Sequence, residues 1–331
     1  MALAPMANVT DAAFRRTIAK YGKPDVFWTE FVSADGLDSP GRERLLVDLK
    51  YSEEERPVVA QIFSADPLKI EKASALVNEL GFDGVDINMG CPDKAVNKQG
   101  AGAALSKDLE LAKEIVRAAK RGAGDLPVSV KIRLGYDQNQ IEEWIPALLE
   151  VRPAVIIVHG RTRKEMSKVP ARWDEIARCV EARDEWSEAN NIESEERTLI
   201  FGNGDVEDLA DAKEKAQKHN VDGVMLGRAI FGNPWLFDPK VDRDDVPRHE
   251  RLQVMLEHAE LFNKLLGEEK PFHIMRKHFG AYVSGFPNAS GLRERLMNTE
   301  SIDDAREVIS EEIKSFSEHG VSTRQTDKIF V

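Results

Sequence analysis

The chain has 331 residues, 42% of them hydrophobic and 31% charged, the balance of a globular chain rather than a disordered one. Its net charge of -12 argues against general affinity for nucleic acid, which rests on many Lys and Arg contacts, so such a partner would have to meet a local basic patch. No apolar run approaches the roughly 20 residues of a bilayer span, and the opening MALAPMANVTD lacks the regions of a signal peptide. A cytoplasmic location away from membranes is the expectation. Cys91 and Cys179 stand far apart in different local patterns, which argues against a disulfide framework and supplies no metal-ligand spacing.

Eight apolar runs rich in β-branched residues follow one another: LAPM (3–6), VFWTEFV (26–32), VVAQIF (58–63), GVDINM (84–89), VSVKIRL (128–134), AVIIVHG (154–160), LIFGNG (199–204) and GVMLGR (223–228). Between them, segments such as DPLKIEKASALVNELG and SKDLELAKEIVRAAKRG place apolar residues at helical spacing and close on glycine. Strand then helix, eight times over, predicts an α/β fold of the (β/α)₈ TIM-barrel kind. An open doubly wound sheet would show fewer strands and a single phosphate loop near the N-terminus. The acid-rich RDEWSEANNIESEER (183–197) is longer than a barrel connection needs and reads as a surface excursion. From about Pro239 the pattern turns to helices alone, HERLQVMLEHAELFNKLL, KPFHIMRKHFGAYV and DDAREVISEEIKSF. The expected division is a barrel domain over 1–238 and a helical domain over 239–331. The second is slightly acidic in total, with its positive charge grouped in MRKH and LRERL; on charge alone, both read as solvated helix faces.

Gln61, Asn88, Lys131, His159 and Asn203 fall at or near the C-terminal ends of their strands, the face on which barrel active sites are built. The last two strands end in FGNGDV and LGRAIFGNP, where Gly202, Gly204, Gly227 and Gly232 permit close backbone approach and Arg228 adds a positive charge, a pattern suited to a phosphate. That phosphate can belong to a substrate or to a cofactor such as flavin mononucleotide (FMN). An amide at Gln61, a cation at Lys131 and a switchable donor at His159 make the mix needed to read the edge of a flavin ring, although singly each also has a structural explanation. Cys91 differs in kind: it follows Gly90 at a strand end, precedes Pro92, and opens the loop NMGCPDKAVNKQGAGAAL (88–105) over the barrel mouth. A thiol there acts as nucleophile or proton donor. Cys179, in WDEIARCVEAR, reads as structural.

Taken in order and spacing, LAPMANVTDAAFR, VAQIF, INMGCP, KQGAGAAL, VKIRLG, VHGRTR, FGNGDV and LGRAIFGNPWLF resemble the FMN-dependent, bacterial-type tRNA-dihydrouridine synthases. The likeness runs from Leu3 to about Phe237, and MRKHFGAYVSGF with LRERL resembles that family's C-terminal helical domain. The resemblance implies reduction of the C5=C6 bond of selected uridines in tRNA, with NADPH as electron source, hydride delivered to C6 from reduced FMN, and a proton delivered to C5 by Cys91. By motif position, Pro5, Met6 and Ala7 line the flavin, and Gln61 and Lys131 contact its ring and ribityl side with His159 alongside. Asn203, Gly204, Asp205, Gly227 and Arg228 hold its tail and phosphate, Asn88 orients the uracil, and Arg161 and Thr162 face the substrate. Arg276, Lys277, Arg293 and Arg295 become tRNA contacts, which reverses the reading from charge alone. The expected protein is a monomer that holds no metal. Two departures stand out: Asn8 occupies a position where the family has glycine, though asparagine tolerates unusual backbone angles, and the short lead before the first strand implies a less covered barrel floor. A barrel flavoenzyme acting on a small metabolite is the competing reading, favoured by the net charge; an RNA-binding module without redox activity is a third.

Overall fold

A computed structural model of the chain describes residues 1–285 and 289–318. Residues 319–331 of the expected helical domain and Phe286 of its family motif lie outside the described residues. Among the described residues, eight strands form one parallel sheet: β1 (Ala2–Leu3), β2 (Phe27–Ser33), β3 (Val58–Phe63), β4 (Gly84–Met89), β5 (Val128–Arg133), β6 (Val155–His159), β7 (Leu199–Asn203) and β8 (Gly223–Leu226). Neighbours run β1-β8-β7-β6-β5-β4-β3-β2. The ring closes where Ala2 bridges Val26 in parallel and the Leu3 N–H donates to the Val26 carbonyl at 3.2 Å. This is the expected (β/α)₈ barrel. β1 is short because Pro5 has no N–H to continue the ladder, and the chain then turns, with the N–H groups of Val9 and Thr10 both closing on the Met6 carbonyl at 3.0 Å.

Helices follow the strands wherever the sequence alternates. Asp66 caps the helix Pro67–Glu79 through the Leu68 N–H, and Asp108 caps Leu109–Ala123 through the Leu111 N–H, each satisfying one of the free N–H groups of a first helical turn. Their buried faces, Ile70, Ala73 and Val77 on the first and Ile115, Val116 and Ala119 on the second, join the strand residues in one core. The acid-rich stretch departs from expectation: residues up to Ala189 continue the helix Trp173–Ala189. Arg183, counted from sequence as surface charge, is buried, with Nη1 donating to Asp222 at 2.7 Å and to the Thr198 carbonyl at 2.9 Å. It falls on the same face as Ile176 and Val180, and its aliphatic stem packs there while the head is paired.

Beyond the last strand, helices Arg248–Leu266, Met275–Tyr282, Ala289–Met297 and Ile302–Glu318 gather a second apolar core, including Met255, Phe262, Phe279 and Leu296, to which Ala13, Val47 and Trp235 contribute from the barrel side. Phe14 of the helix Ala12–Tyr21 stacks on His258 with centroids 4.8 Å apart and meets His278 edge-on at 4.7 Å. Polar links reinforce the contact: Lys270 reaches both Glu30 and Asp48 at 2.6 Å, and Lys20 reaches Glu257 at 2.6 Å. Lys270 therefore reaches the segment leading to the barrel mouth, because Glu30 also accepts the Asn8 N–H. No helix among the described residues is long and apolar enough to cross a membrane.

Gly232 sits in this seam at φ +67°, where an added Cβ would stand 2.3 Å from the Ala281 carbonyl oxygen; Gly291, in the helix Ala289–Met297, has nothing within 4 Å of that position. Gly232→Ala is expected to lower stability by about 2–4 kcal/mol through strain and overpacking. Gly291→Ala is expected to raise it by about 0.5–1 kcal/mol. Urea unfolding midpoints of the two variants check the opposite signs.

Candidate active site

Parallel register lays the polar residues out in rows across the barrel mouth. Side chains at i and i+2 of a strand share a face, so Asp86 and Asn88 on β4, and Ser129, Lys131 and Arg133 on β5, all face one way. Gln61 pairs with Asp86 and Asp86 with Ser129 in one row; Asn88 pairs with Lys131 in the next; Arg133 pairs with His159 and His159 with Asn203 above them. These rows border a cavity of about 790 Å³, within the usual size range for small-molecule sites. Pro5, Met6, Gln61, Asn88, Cys91, Lys131, His159, Arg161, Asn203, Gly204, Asp205, Gly227 and Arg228 all line it. Ala7 and Thr162 do not. Ala7 is on the outside of the turn closed on Met6, and the buried Thr162 hydroxyl accepts the Glu165 N–H.

Cys91 enters the cavity from a loop built to hold it. Its N–H donates to Asn88 Oδ1 at 2.9 Å, and its carbonyl accepts Asn97 Nδ2 at 2.8 Å and the Ala103 N–H at 3.1 Å. At Gly102, with φ +63°, a Cβ would lie 3.2 Å from the Cys91 Cβ and 3.0 Å from its carbonyl oxygen, so the loop's glycine lets the chain pack against the cysteine. Burial pushes the Cys91 thiol up from its ordinary value, which keeps it protonated near neutrality. Asn8, with φ +53°, adopts the left-handed conformation open to asparagine in the turn beside Pro5 and Met6.

Positive charge dominates the other wall. Burial and the neighbouring Arg133 bring the Lys131 amine down to about 8, against the pull of Asp86; its Nζ donates to Asn203 Oδ1 at 3.0 Å, and Asn203 Nδ2 donates to the Met225 carbonyl at 2.7 Å. His159 is held well below its usual value, first by burial and then by Lys131, Arg133, Arg161 and Arg228. The sequence marks it as a switchable donor; the structure holds it neutral, with Nε2 at 3.3 Å from Arg161 Nη1. Burial acts to raise the Asp205 carboxyl, yet hydrogen bonds from Arg161 and the Ala171 N–H, with the field of Arg228, outweigh it and leave it lowered. Asp205 therefore fixes Arg161 and Arg228 in place. Of the four glycines read as phosphate turns, Gly204 and Gly227 line the cavity, whereas a Cβ at Gly202 would stand 2.3 Å from the Trp173 ring. Gly202 and Gly232 are small for packing.

Arg133 was missed. It lines the cavity and donates to the carbonyls of Gly90 at 2.9 Å and of Thr162 and Met166 at 3.1 Å, and burial brings its guanidinium down to about 10. Its signal lay in VKIRL, where Lys131 and Arg133 alternate on one face. Arg276, Lys277, Arg293 and Arg295 stand apart from the cavity. Arg276 donates to the Thr299 carbonyl at 3.0 Å and Arg295 pairs with Glu311; among the described residues, Lys277 and Arg293 have no ion pair, and both are exposed. His278 of MRKH is buried and uncharged. No group of three His, Cys, Asp or Glu side chains among the described residues could hold a metal ion.

The Lys131 value gives a pH signature that needs no substrate. A lysine whose value is lowered loses its proton as pH rises through that value, so the Nζ resonance of ¹⁵N-labelled Lys131 should titrate near 8 while exposed lysines titrate near about 10.4. A Lys131 midpoint among the exposed ones would contradict the burial described above.

Comparison with known proteins places the chain. The model of the dihydrouridine synthase (Dus) family matches residues 2–318. The "Probable tRNA-dihydrouridine synthase" of Staphylococcus aureus is 41% identical over 312 residues, 93% of this chain and 92% of its own; the "Probable tRNA-dihydrouridine synthase 2" of Bacillus subtilis is 39% identical over the same shares. Among solved structures, a 6-hydroxypseudooxynicotine amine oxidase from Pseudomonas geniculata superposes with a TM-score of 0.53 at 13% identity, over 80% of this chain and 52% of that one, a likeness of fold.

Proposed function

The chain belongs to the dihydrouridine synthase family, and from that premise we propose that it reduces the C5=C6 bond of selected uridines in tRNA to dihydrouridine, with FMN as cofactor and NADPH as reductant. The observation that carries this reading is that one cavity joins a protonated thiol at Cys91 to a wall of Lys131, Arg133, Arg161 and Arg228. That donor set fits a flavin mononucleotide: cations and amides suit a ring that carries negative charge when reduced, and Arg228 with Gly227 and Gly204 suits the phosphate. When bound, the cofactor supplies the hydride for uracil C6.

The chain's own residues do the rest. Pro5 and Met6 form one side of the flavin site, with Gln61, Lys131 and His159 against the ring and Asn203 and Asp205 fixing the cations around the tail. Asn88 orients the uracil, and Arg161 is shared between substrate side and Asp205. Cys91 gives the proton to C5; its raised value keeps that proton available at neutral pH. Neutral His159 donates without adding charge. A uridine stacked in folded tRNA must be extruded to enter, at about a few kcal/mol, and a barrel mouth receives it. Residues 1–238 form the catalytic unit and 239–331 the helical unit that grips tRNA, acting as a cytoplasmic monomer.

Replacing Cys91 by alanine should leave flavin content and tRNA affinity unchanged while dihydrouridine formation falls by at least about 100-fold; nucleoside mass spectrometry of treated tRNA reads the product, and normal turnover would remove the thiol from the reaction. Because Arg276 and Arg295 already have partners within the chain, the tRNA grip should depend more on Lys277 and Arg293. Lys277→Glu with Arg293→Glu is expected to weaken tRNA binding more at low salt than at high salt. Filter binding across a salt series checks this, and a salt-independent loss would count against a phosphate contact.

A further inference from the structure

Asp86 lies on β4 two residues before Asn88, fully buried beneath the cavity. Its two oxygens accept hydrogen bonds from Gln61 Nε2 at 2.6 Å and from the Ser129 hydroxyl. An ionised carboxylate only accepts, whereas an amide has one donating and one accepting end. The carboxylate therefore draws the Gln61 Nε2 toward itself and leaves Oε1 facing Asn88. Asn88 Nδ2 donates to that oxygen at 3.0 Å, which leaves Asn88 Oδ1 facing the backbone N–H groups of Gly90 at 3.2 Å and Cys91 at 2.9 Å. Two amides, either of which could turn over by itself, are locked end to end.

We propose that Asp86 is a positioning residue that sets the direction of this hydrogen-bond chain and so anchors the Cys91 backbone with its thiol at the cavity. The proposal rests on the reading of Cys91 as proton donor. Removing the acceptor exposes the logic; protonation alone does not, because the acid O–H can donate to the Ser129 hydroxyl, which also accepts, while the other oxygen still accepts Gln61 Nε2. Without an acceptor at residue 86, Gln61 is free to turn and bring Nε2 against Asn88 Nδ2; if Asn88 then turns to accept, its Nδ2 meets the Gly90 and Cys91 N–H groups, donor against donor. A buried polar group left without a partner is costly, so the anchor is released. Burial holds the Asp86 carboxyl up at about 6, opposed by the Gln61 and Ser129 hydrogen bonds and the Lys131 cation on β5. The indole N–H of Trp28 on β2 acts on the carboxyl in the same lowering direction.

The chain's two cysteines make the test. Alkylation by iodoacetamide, resolved by peptide mass spectrometry, reads Cys91 anchoring, and the buried Cys179 reports general loosening. Asp86→Leu removes the acceptor. It should speed Cys91 alkylation by about fivefold or more, leave Cys179 protected, and lower kcat for uridine reduction by about tenfold or more with KM for tRNA unchanged, the pattern of a misplaced reacting group. Asp86→Asn keeps an acceptor oxygen and should recover most of that loss. Lowering the pH from about 7.5 to about 5 slows alkylation in every variant, because the thiolate is the nucleophile, so the wild type is read against Asp86→Asn: the two should converge, with a midpoint near 6, as the protonated carboxyl comes to resemble the amide. Any basic limb shifts separately, because Lys131 loses an attracting charge. Unchanged Cys91 alkylation in Asp86→Leu, or joint exposure of Cys91 and Cys179, overturns the proposal. Should Asp86→Leu not fold, parallel acid responses of wild type and Asp86→Asn overturn it instead. If wild-type protein makes no dihydrouridine, the functional reading fails while the alkylation result still judges Asp86.

Discussion

Positive charge held at the mouth of a parallel barrel is the constraint from which the rest of the site follows. Lys131, Arg133, Arg161 and Arg228 line one cavity with only Asp205 and Glu207 as lining carboxylates, and Asp205 is already engaged by two of the guanidiniums. Partly desolvated like charges raise one another's cost, and the chain shows it: Lys131 is brought down to about 8, Arg133 to about 10, and His159 is kept neutral. Such a surplus is stable only with anions or water as partners. A cofactor with a phosphate and a ring that turns anionic on reduction answers that demand, and a nucleic-acid substrate adds to it. A protein with a net charge of -12 thus presents its positive face where the chemistry is.

Backbone geometry makes the arrangement possible. Residues two apart on a strand face the same way, so Asp86 and Asn88, or Lys131 and Arg133, enter the interior together, and parallel pairing sets them beside Gln61, Ser129 and His159. The loop after β4 then folds back so closely that its Gly102 has no room for a side chain against Cys91. The first turn, the second strand and the helical region meet at Glu30, which accepts both the Asn8 N–H and Lys270. The side of the cavity proposed to hold flavin is in this way tied to the helices proposed to hold tRNA.

Much of this was legible in the sequence, because parallel strands buried on both faces read as continuous apolar runs. VVAQIF and GVDINM coincide with β3 and β4 to the residue. Polar strand ends were equally visible, and thirteen of the expected residues border the cavity. What escaped was hidden by the same signal: Asp86 and Arg133 sit inside runs that register as strand, and only alternation counted from Asn88 and Lys131 reveals their direction. Pairing between distant helices leaves no local trace, so the engagement of Arg295 by Glu311 and of Arg276 by the Thr299 carbonyl was not foreseeable from LRERL or MRKH. Arg183 misled for a related reason, since a charged residue at helical spacing looks solvated until its partner Asp222 is seen.

If surplus positive charge at the barrel mouth defines the site, the phosphate of the cofactor matters more than its ring. Titrating flavin-free protein with FMN and with riboflavin, which shares the ring but lacks the phosphate, and following flavin fluorescence, tests this most directly. The account predicts that FMN binds at least about 100-fold more tightly, a difference of about 2.7 kcal/mol, and that the gap narrows as salt is added. Equal affinity for the two flavins would contradict it.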